Sequence, residues 1–146
     1  MNTEEESPPL AILLVEDNLA DIKLTEKALE RSGCPHHLTV VRDGSAALEL
    51  LMPGGAPRVY SPELILLDLN LPKRSGREVL REIKGDEGLR RIPVVVLTTS
   101  EAESDVKQAY QNQANGFVVK QMDVGEFMKA IQVVVKFWAS RRWKDE

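Results

Sequence analysis

ELILLDLNLP, residues 63–72, runs four apolar side chains, Leu64 to Leu67, straight into an aspartate, Asp68, and turns at Pro72. An unbroken apolar run lacks the polar alternation of a half-exposed strand and belongs to a strand covered on both faces. Similar short runs occur at AILLV (11–15), LTVV (38–41), PVVVLT (93–98) and GFVVK (116–120). Each of the five leads into a stretch with helical spacing: DNLADIKLTEKALERSG (17–33), GSAALELLM (44–52), GREVLREIK (76–84), ESDVKQAYQNQ (103–113) and VGEFMKAIQVVVKFWASRRW (124–143). In the first of these Leu19, Ile22, Leu24, Ala28 and Leu29 recur at roughly helical spacing, Asn18 is placed to cap the start, and Gly33 with Pro35 marks the stop. Strand and helix alternating five times predicts an α/β class protein, a doubly wound five-stranded parallel sheet in a single domain.

Composition narrows the function. The 146 residues are 42% hydrophobic and 29% charged with a formal net charge of −4, ordinary globular material without the basic face of a nucleic-acid binder. The single cysteine, Cys34, has no disulfide partner and no second thiol for a zinc site, which points to a reducing compartment, the cytoplasm. No apolar run reaches the roughly 18 residues of a membrane span, and no nucleic-acid or membrane partner is implied. Residues 1–9, MNTEEESPP, read as a disordered acidic leader, and PGGAPRVYSP (53–62) as an extended surface loop. His36 and His37 lie in a PHH turn and make a poor metal pair.

In an open parallel sheet, ligands bind beyond the carboxyl ends of the strands. The residues there are Glu16 and Asp17, Asp68, Thr98, and Lys120. Three carboxylates brought together repel one another by several kcal/mol per close pair, even at an effective dielectric of about 20, and require a cation. Mg²⁺ suits carboxylate oxygen and is commonly shared with phosphate. Beside such a metal, and with Lys120 as a second positive charge, Asp68 is a plausible nucleophile toward phosphorus, forming an aspartyl phosphate. Thr98 is placed to donate to a phosphoryl oxygen and so to report its arrival as a switch hydroxyl.

VEDN (15–18), LLDLNLP (66–72) followed by Gly76, PVVVLTTS (93–100) and GFVVK (116–120) resemble the CheY-like receiver domain of two-component response regulators. The resemblance runs from about residue 10 to the end of the chain. VEDNLADIKLTEKALERSG, LRRIPVVVLTTS and the late VVVKFW look most like the single-domain regulators paired with phytochrome-type histidine kinases. It implies the (βα)5 flavodoxin/CheY-like fold, Asp68 as phosphoacceptor and Glu16 with Asp17 as the acidic pair at Mg²⁺, Asp17 being the direct ligand. It also implies the Asn70 backbone carbonyl as a further ligand, Thr98 as the switch, Lys120 as the phosphoryl-binding cation, and Phe117 as the aromatic that follows Thr98. Two positions depart from the family pattern. Gln121 replaces the usual proline after the lysine, where a cis bond would cost about 2.5–4 kcal/mol, so either a rearranged trans loop or a strained cis bond is expected. Phe117 replaces a common tyrosine, which removes the polar reason for the ring to face outward.

The last helix carries more apolar residues than one sheet-facing stripe requires, among them Val133, Val134, Phe137, Trp138 and Trp143. A homodimer through this helix, or a kinase-binding surface, accounts for the excess, the alternative being that Trp138 folds back on the sheet edge. The expected organisation is a leader over 1–9, a receiver domain over 10–143 and a tail over 144–146, with no effector domain. Output then passes through an effector protein or further phosphotransfer, and a sensor histidine kinase, a bacteriophytochrome by the resemblance, supplies the phosphoryl group. On this reading the protein is a phosphoacceptor with only slow Mg²⁺-dependent self-dephosphorylation, and no enzyme beyond that. A small-molecule phosphatase of the aspartate-nucleophile kind needs an acid two residues after the nucleophile, where Asn70 stands, and usually a cap domain. A receiver fold that binds partners without phosphorylation is the remaining alternative.

Overall fold

Each apolar run becomes a strand running parallel to its neighbours in a computed structural model, which describes residues 8–54, 60–99, 103–120 and 123–141. The elements are β1 (Leu10–Val15), α1 (Leu19–Arg31), β2 (His36–Val41), α2 (Gly44–Leu51), β3 (Leu64–Asp68), α3 (Gly76–Gly85), β4 (Val94–Thr98), α4 (Glu103–Gln111), β5 (Gly116–Val119) and α5 (Val124–Arg141). The strand order is β2-β1-β3-β4-β5. β3, which carries the run from Leu64 into Asp68, is therefore the central strand. β3 and β4 are buried along their whole length, as their unbroken apolar sequences require, whereas the edge strand β2 is only half-buried and includes both histidines. β2 begins at His36 and not at Leu38, because His36 and His37 continue the ladder with Leu10 and Ala11.

The period of two in each strand divides the interior into two cores. Leu13, Val15, Ile65, Leu67, Val94 and Val96 face α2, α3 and α4. Leu10, Ile12, Leu14, Leu64, Leu66, Val95, Leu97 and Val118 face α1 and α5. This alternation matters for the strand ends. Glu16, Asp68 and Lys120 continue the set that faces α1 and α5, and Thr98 continues the set that faces α4.

Local sequence accounts for the helix ends. Asn18 caps α1 by accepting from the Asp21 N–H at 3.0 Å, Asp43 caps α2 through the Ala46 N–H at 2.7 Å, and Ser75 caps α3 through the Glu78 N–H at 3.2 Å. Gly33 takes φ +77° just past α1, a left-handed conformation that glycine adopts without steric cost. In α5, Phe127, Met128, Ile131 and Val135 are buried. Trp138 is half-buried against the same core and meets Phe137 edge to face at 4.9 Å. The apolar excess of the helix that faces outward is thus Val124, Val133 and Phe137, at 55%, 62% and 49% exposure. Ser100, Gln121, Trp143, residues 1–7 of the leader and residues 55–59 of the long loop lie outside the described residues.

Candidate functional site

The strands deliver their terminal side chains to one edge of the sheet. Asp68 closes β3 and is buried, Thr98 closes β4 and is buried, and Glu16, directly after β1, is fully buried. A hydrogen bond from the Lys120 N–H to the Thr98 carbonyl, 2.7 Å, extends the β4–β5 ladder by one residue and sets the lysine beside the other strand ends. Its Nζ lies 3.2 Å from Asp68 Oδ2 and in direct contact with Glu16 Oε1. The other carboxylate oxygens are held by backbone: Asp68 Oδ1 accepts from the Asn70 N–H at 3.0 Å, and Glu16 Oε2 from the Asn18 N–H at 3.1 Å. Both acids therefore have fixed orientations before any ligand arrives. Asp17 is more exposed, and its carbonyl accepts from Arg42 Nη2 at 2.8 Å.

Ligand oxygens of Glu16, Asp17 and Asp68 all lie within 4.8 Å of one another, the one group of three metal-ligating side chains among the described residues. Their electrostatics reflect this crowding. Burial, and then the neighbouring Asp68, push the Glu16 carboxyl up from its ordinary 4.5 to about 7, against the opposing pull of Lys120. For Lys120, burial acts to lower the pKa, but Glu16, Asp68 and Asp21 together outweigh it and hold the ammonium above its ordinary value. Convergent carboxylates with hard oxygen donors, too many for one lysine to neutralise, fit a divalent cation that takes oxygen ligands.

The residues singled out from sequence thus converge in part by contact and in part by register. Glu16, Asp68 and Lys120 touch, and Asp17 joins the carboxylate cluster. Phe117 pairs in register with Val96, two residues before Thr98 on β4, and packs half-buried against the core under α2, α3 and α4. Asn70 is exposed in the loop after β3.

Sequence patterns give no role to Asp21 or Arg42, and give Gly76 only a place in the family motif. Asp21 places Oδ2 3.0 Å from Lys120 Nζ. Its signal was an acid on the buried stripe of α1, four residues before Thr25 and seven before Ala28. Arg42 supports the Asp17 backbone, a contact that local sequence does not announce. Gly76 packs so closely on the end of β3 that a Cβ there would lie 2.2 Å from the Asp68 carbonyl oxygen.

The family described as response regulator receiver domain matches residues 12–132. Response regulator Rcp1 of Synechocystis sp. is 46% identical over 140 residues, 93% of each chain. Among solved structures, the phosphorylated cyanobacterial phytochrome response regulator RcpA superposes with a TM-score of 0.83 at 45% identity, over 90% of this chain and 95% of that one. The Mn²⁺-bound form of Rcp1 gives 0.80 at 47% identity, with the same coverage. The chain belongs to the response regulator receiver family, signalling proteins that pair with histidine kinases, and within that family it is similar to the phytochrome response regulators.

Proposed function

We propose that this protein accepts a phosphoryl group on Asp68 from a phosphohistidine of a sensor kinase, in a Mg²⁺-dependent reaction, and signals by a change in its α4-β5-α5 face. The observation that carries this reading is the placement of Asp68: a buried carboxylate ending the central strand, 3.2 Å from Lys120 and clustered with Glu16 and Asp17. An Asp68 carboxylate oxygen attacks phosphorus, the P–N bond of the phosphohistidine breaks with its electron pair going to nitrogen, and an acyl phosphate P–O bond forms while the imidazole leaves neutral, keeping the proton already carried on its other nitrogen. Glu16, Asp17, Asp68 and the Asn70 backbone carbonyl would hold Mg²⁺, Asp17 as a direct ligand. When bound, the metal neutralises charge on the transferring phosphoryl oxygens. Lys120 pairs with one of those oxygens and Thr98 donates its hydroxyl to another. Phe117, half-buried on the same side of the sheet as Thr98, follows that hydroxyl, and the displacement reaches α4 and β5. Attack of water on phosphorus then restores the carboxylate slowly, the sole self-catalysed reaction of this signalling protein.

Similarity to RcpA and Rcp1 supports a phytochrome-type kinase as the donor, and the single unpaired Cys34 suits the cytoplasm. The exposed Val133 and Phe137 support a homodimer through α5, with an effector or a further phosphotransfer protein downstream. No helix among the described residues is long and apolar enough to cross a membrane. The test is the intact mass after incubation with acetyl phosphate and Mg²⁺, beside Asp68→Asn and a chelated control. A gain of one phosphoryl group that requires both Asp68 and metal is expected. No gain, together with no response to beryllofluoride, would leave a receiver fold that binds partners without phosphorylation.

A further inference from the structure

Lys120 has a partner that the phosphoryl chemistry does not use. Asp21 stands in the first turn of α1, and its Oδ2 lies 3.0 Å from Lys120 Nζ. An acid at this place in a helix ordinarily reaches back to the N–H of the capping residue. Here that N–H, on Asn18, is already taken by Glu16 Oε2, while the backbone N–H of Asp21 satisfies the Asn18 side chain. The cap is complete without the Asp21 carboxylate, which is turned instead toward the strand ends.

An ammonium carries three N–H donors, and Lys120 has three acids around it. They are not equivalent. Glu16 and Asp68 belong to the cluster of metal-ligating carboxylates, and Asp21 lies outside it. The Asp21 side chain is also 25% exposed, against 0% for Glu16 and 4% for Asp68. A divalent cation among the cluster oxygens repels an ammonium that shares two of the same carboxylates, by several kcal/mol at a separation of about 4–5 Å and an effective dielectric of about 20. Lys120 then needs a carboxylate that is not a metal ligand, or it competes with the metal for Glu16 and Asp68.

We propose that Asp21 is a positioning residue for Lys120: it takes over the ammonium when a divalent metal occupies the Glu16, Asp17 and Asp68 cluster, and keeps it within reach of the phosphoryl position. The inference rests on the divalent-metal reading of the site and adds to it the group that makes metal and lysine compatible. It adds to the Glu16 contact with the α1 cap a second link between the site and α1, through Asp21.

The test is a double-mutant cycle on Mg²⁺ affinity, read by titration calorimetry on the full chain without any phosphodonor. It compares the unaltered protein, Asp21→Asn, Lys120→Met and the double variant. Asparagine is isosteric and retains the backbone N–H that closes the cap, so circular dichroism and thermal unfolding should be near those of the unaltered protein. Asp21→Asn should weaken Mg²⁺ binding about tenfold when Lys120 is present and only about twofold in the Lys120→Met background, the residual factor being long-range charge. Equal factors in the two backgrounds would mean that Asp21 acts only through its field and would overturn the proposal, as would the absence of any loss. If the unaltered protein binds no Mg²⁺, the metal reading itself fails and this inference falls with it, an outcome distinct from both.

Discussion

At Gly76 the backbone leaves no room for a side chain. A Cβ would meet the Asp68 carbonyl oxygen at 2.2 Å and Leu69 Cα at 2.5 Å, backbone atoms with no alternative rotamer to adopt. Gly76→Ala should therefore displace the end of β3 and with it Asp68 and Asn70. The expected cost is about 2–3 kcal/mol in urea unfolding, at the upper end of ordinary overpacking, together with weaker Mg²⁺ binding. Glu16 supplies a prediction about pH. Its folded value, about 7, lies above its ordinary 4.5, so the metal-free folded chain holds this proton more tightly than the unfolded chain does. That contribution to stability is fully present below pH 4.5 and is lost as pH rises through about 7. The metal-free protein should show a falling component of Tm across this window. Glu16→Gln should remove it, and an unchanged slope in that variant would assign the titration to another group.

Among the elements, α3 is tied to the two strands beyond it by one side chain. Lys84, in the last turn of α3, donates to the Arg90 carbonyl at 3.1 Å, the Ile92 carbonyl at 2.8 Å and Asn115 Oδ1 at 2.9 Å. Asn115 Oδ1 also accepts from the Val94 N–H at 2.9 Å, and the Asn115 N–H donates to the Val94 carbonyl at 2.7 Å. The starts of β4 and β5 are thus pinned to the end of α3 at the edge of the sheet opposite the site. Partial burial lowers the Lys84 pKa, and its three acceptors compensate the half-buried ammonium. Lys84→Met should cost about 2 kcal/mol, the scale of lost hydrogen bonds to a charged group, without changing Mg²⁺ affinity. Asn18→Ala in the α1 cap should cost about 1 kcal/mol in the same unfolding measurement.

For the whole molecule, the β5–α5 edge carries an apolar surface that the two cores cover only in part. Phe117, Val118, Ala130, Val133 and Val134, with the charged Glu126 and Lys129, line an open groove of about 490 Å³ there, and Phe137 is exposed farther along α5. The Arg141 guanidinium lies over the rings of Phe137 and Trp138, 5.2 and 5.8 Å from their centroids, and closes that end of the patch. If this face joins two copies, sedimentation should give a dimer for the unaltered protein and a monomer for Val133→Glu. The substituted side chain is on the surface, so Tm measured at low protein concentration should be unaffected. A dimer that survives Val133→Glu would move the interface elsewhere.

The sequence by itself determined the α/β class, all five strands and helices, and the strand-end residues Glu16, Asp17, Asp68, Thr98 and Lys120. These were legible because unbroken apolar runs and helical spacing are local patterns, and because a parallel sheet exposes its carboxyl edge wherever its strands stop. The Asn18 cap was legible for the same reason, a short-range donor and acceptor match. Only the tertiary structure decided that Asp21 reaches Lys120, that Arg42 supports Asp17, that Lys84 closes the opposite edge, and that Trp138 turns inward while Phe137 does not. Each of these depends on strand order, on how two helices share one face of the sheet, or on what a neighbouring segment covers. Those are properties of contacts distant in the chain, and no periodicity within one element encodes which distant element will lie beside it.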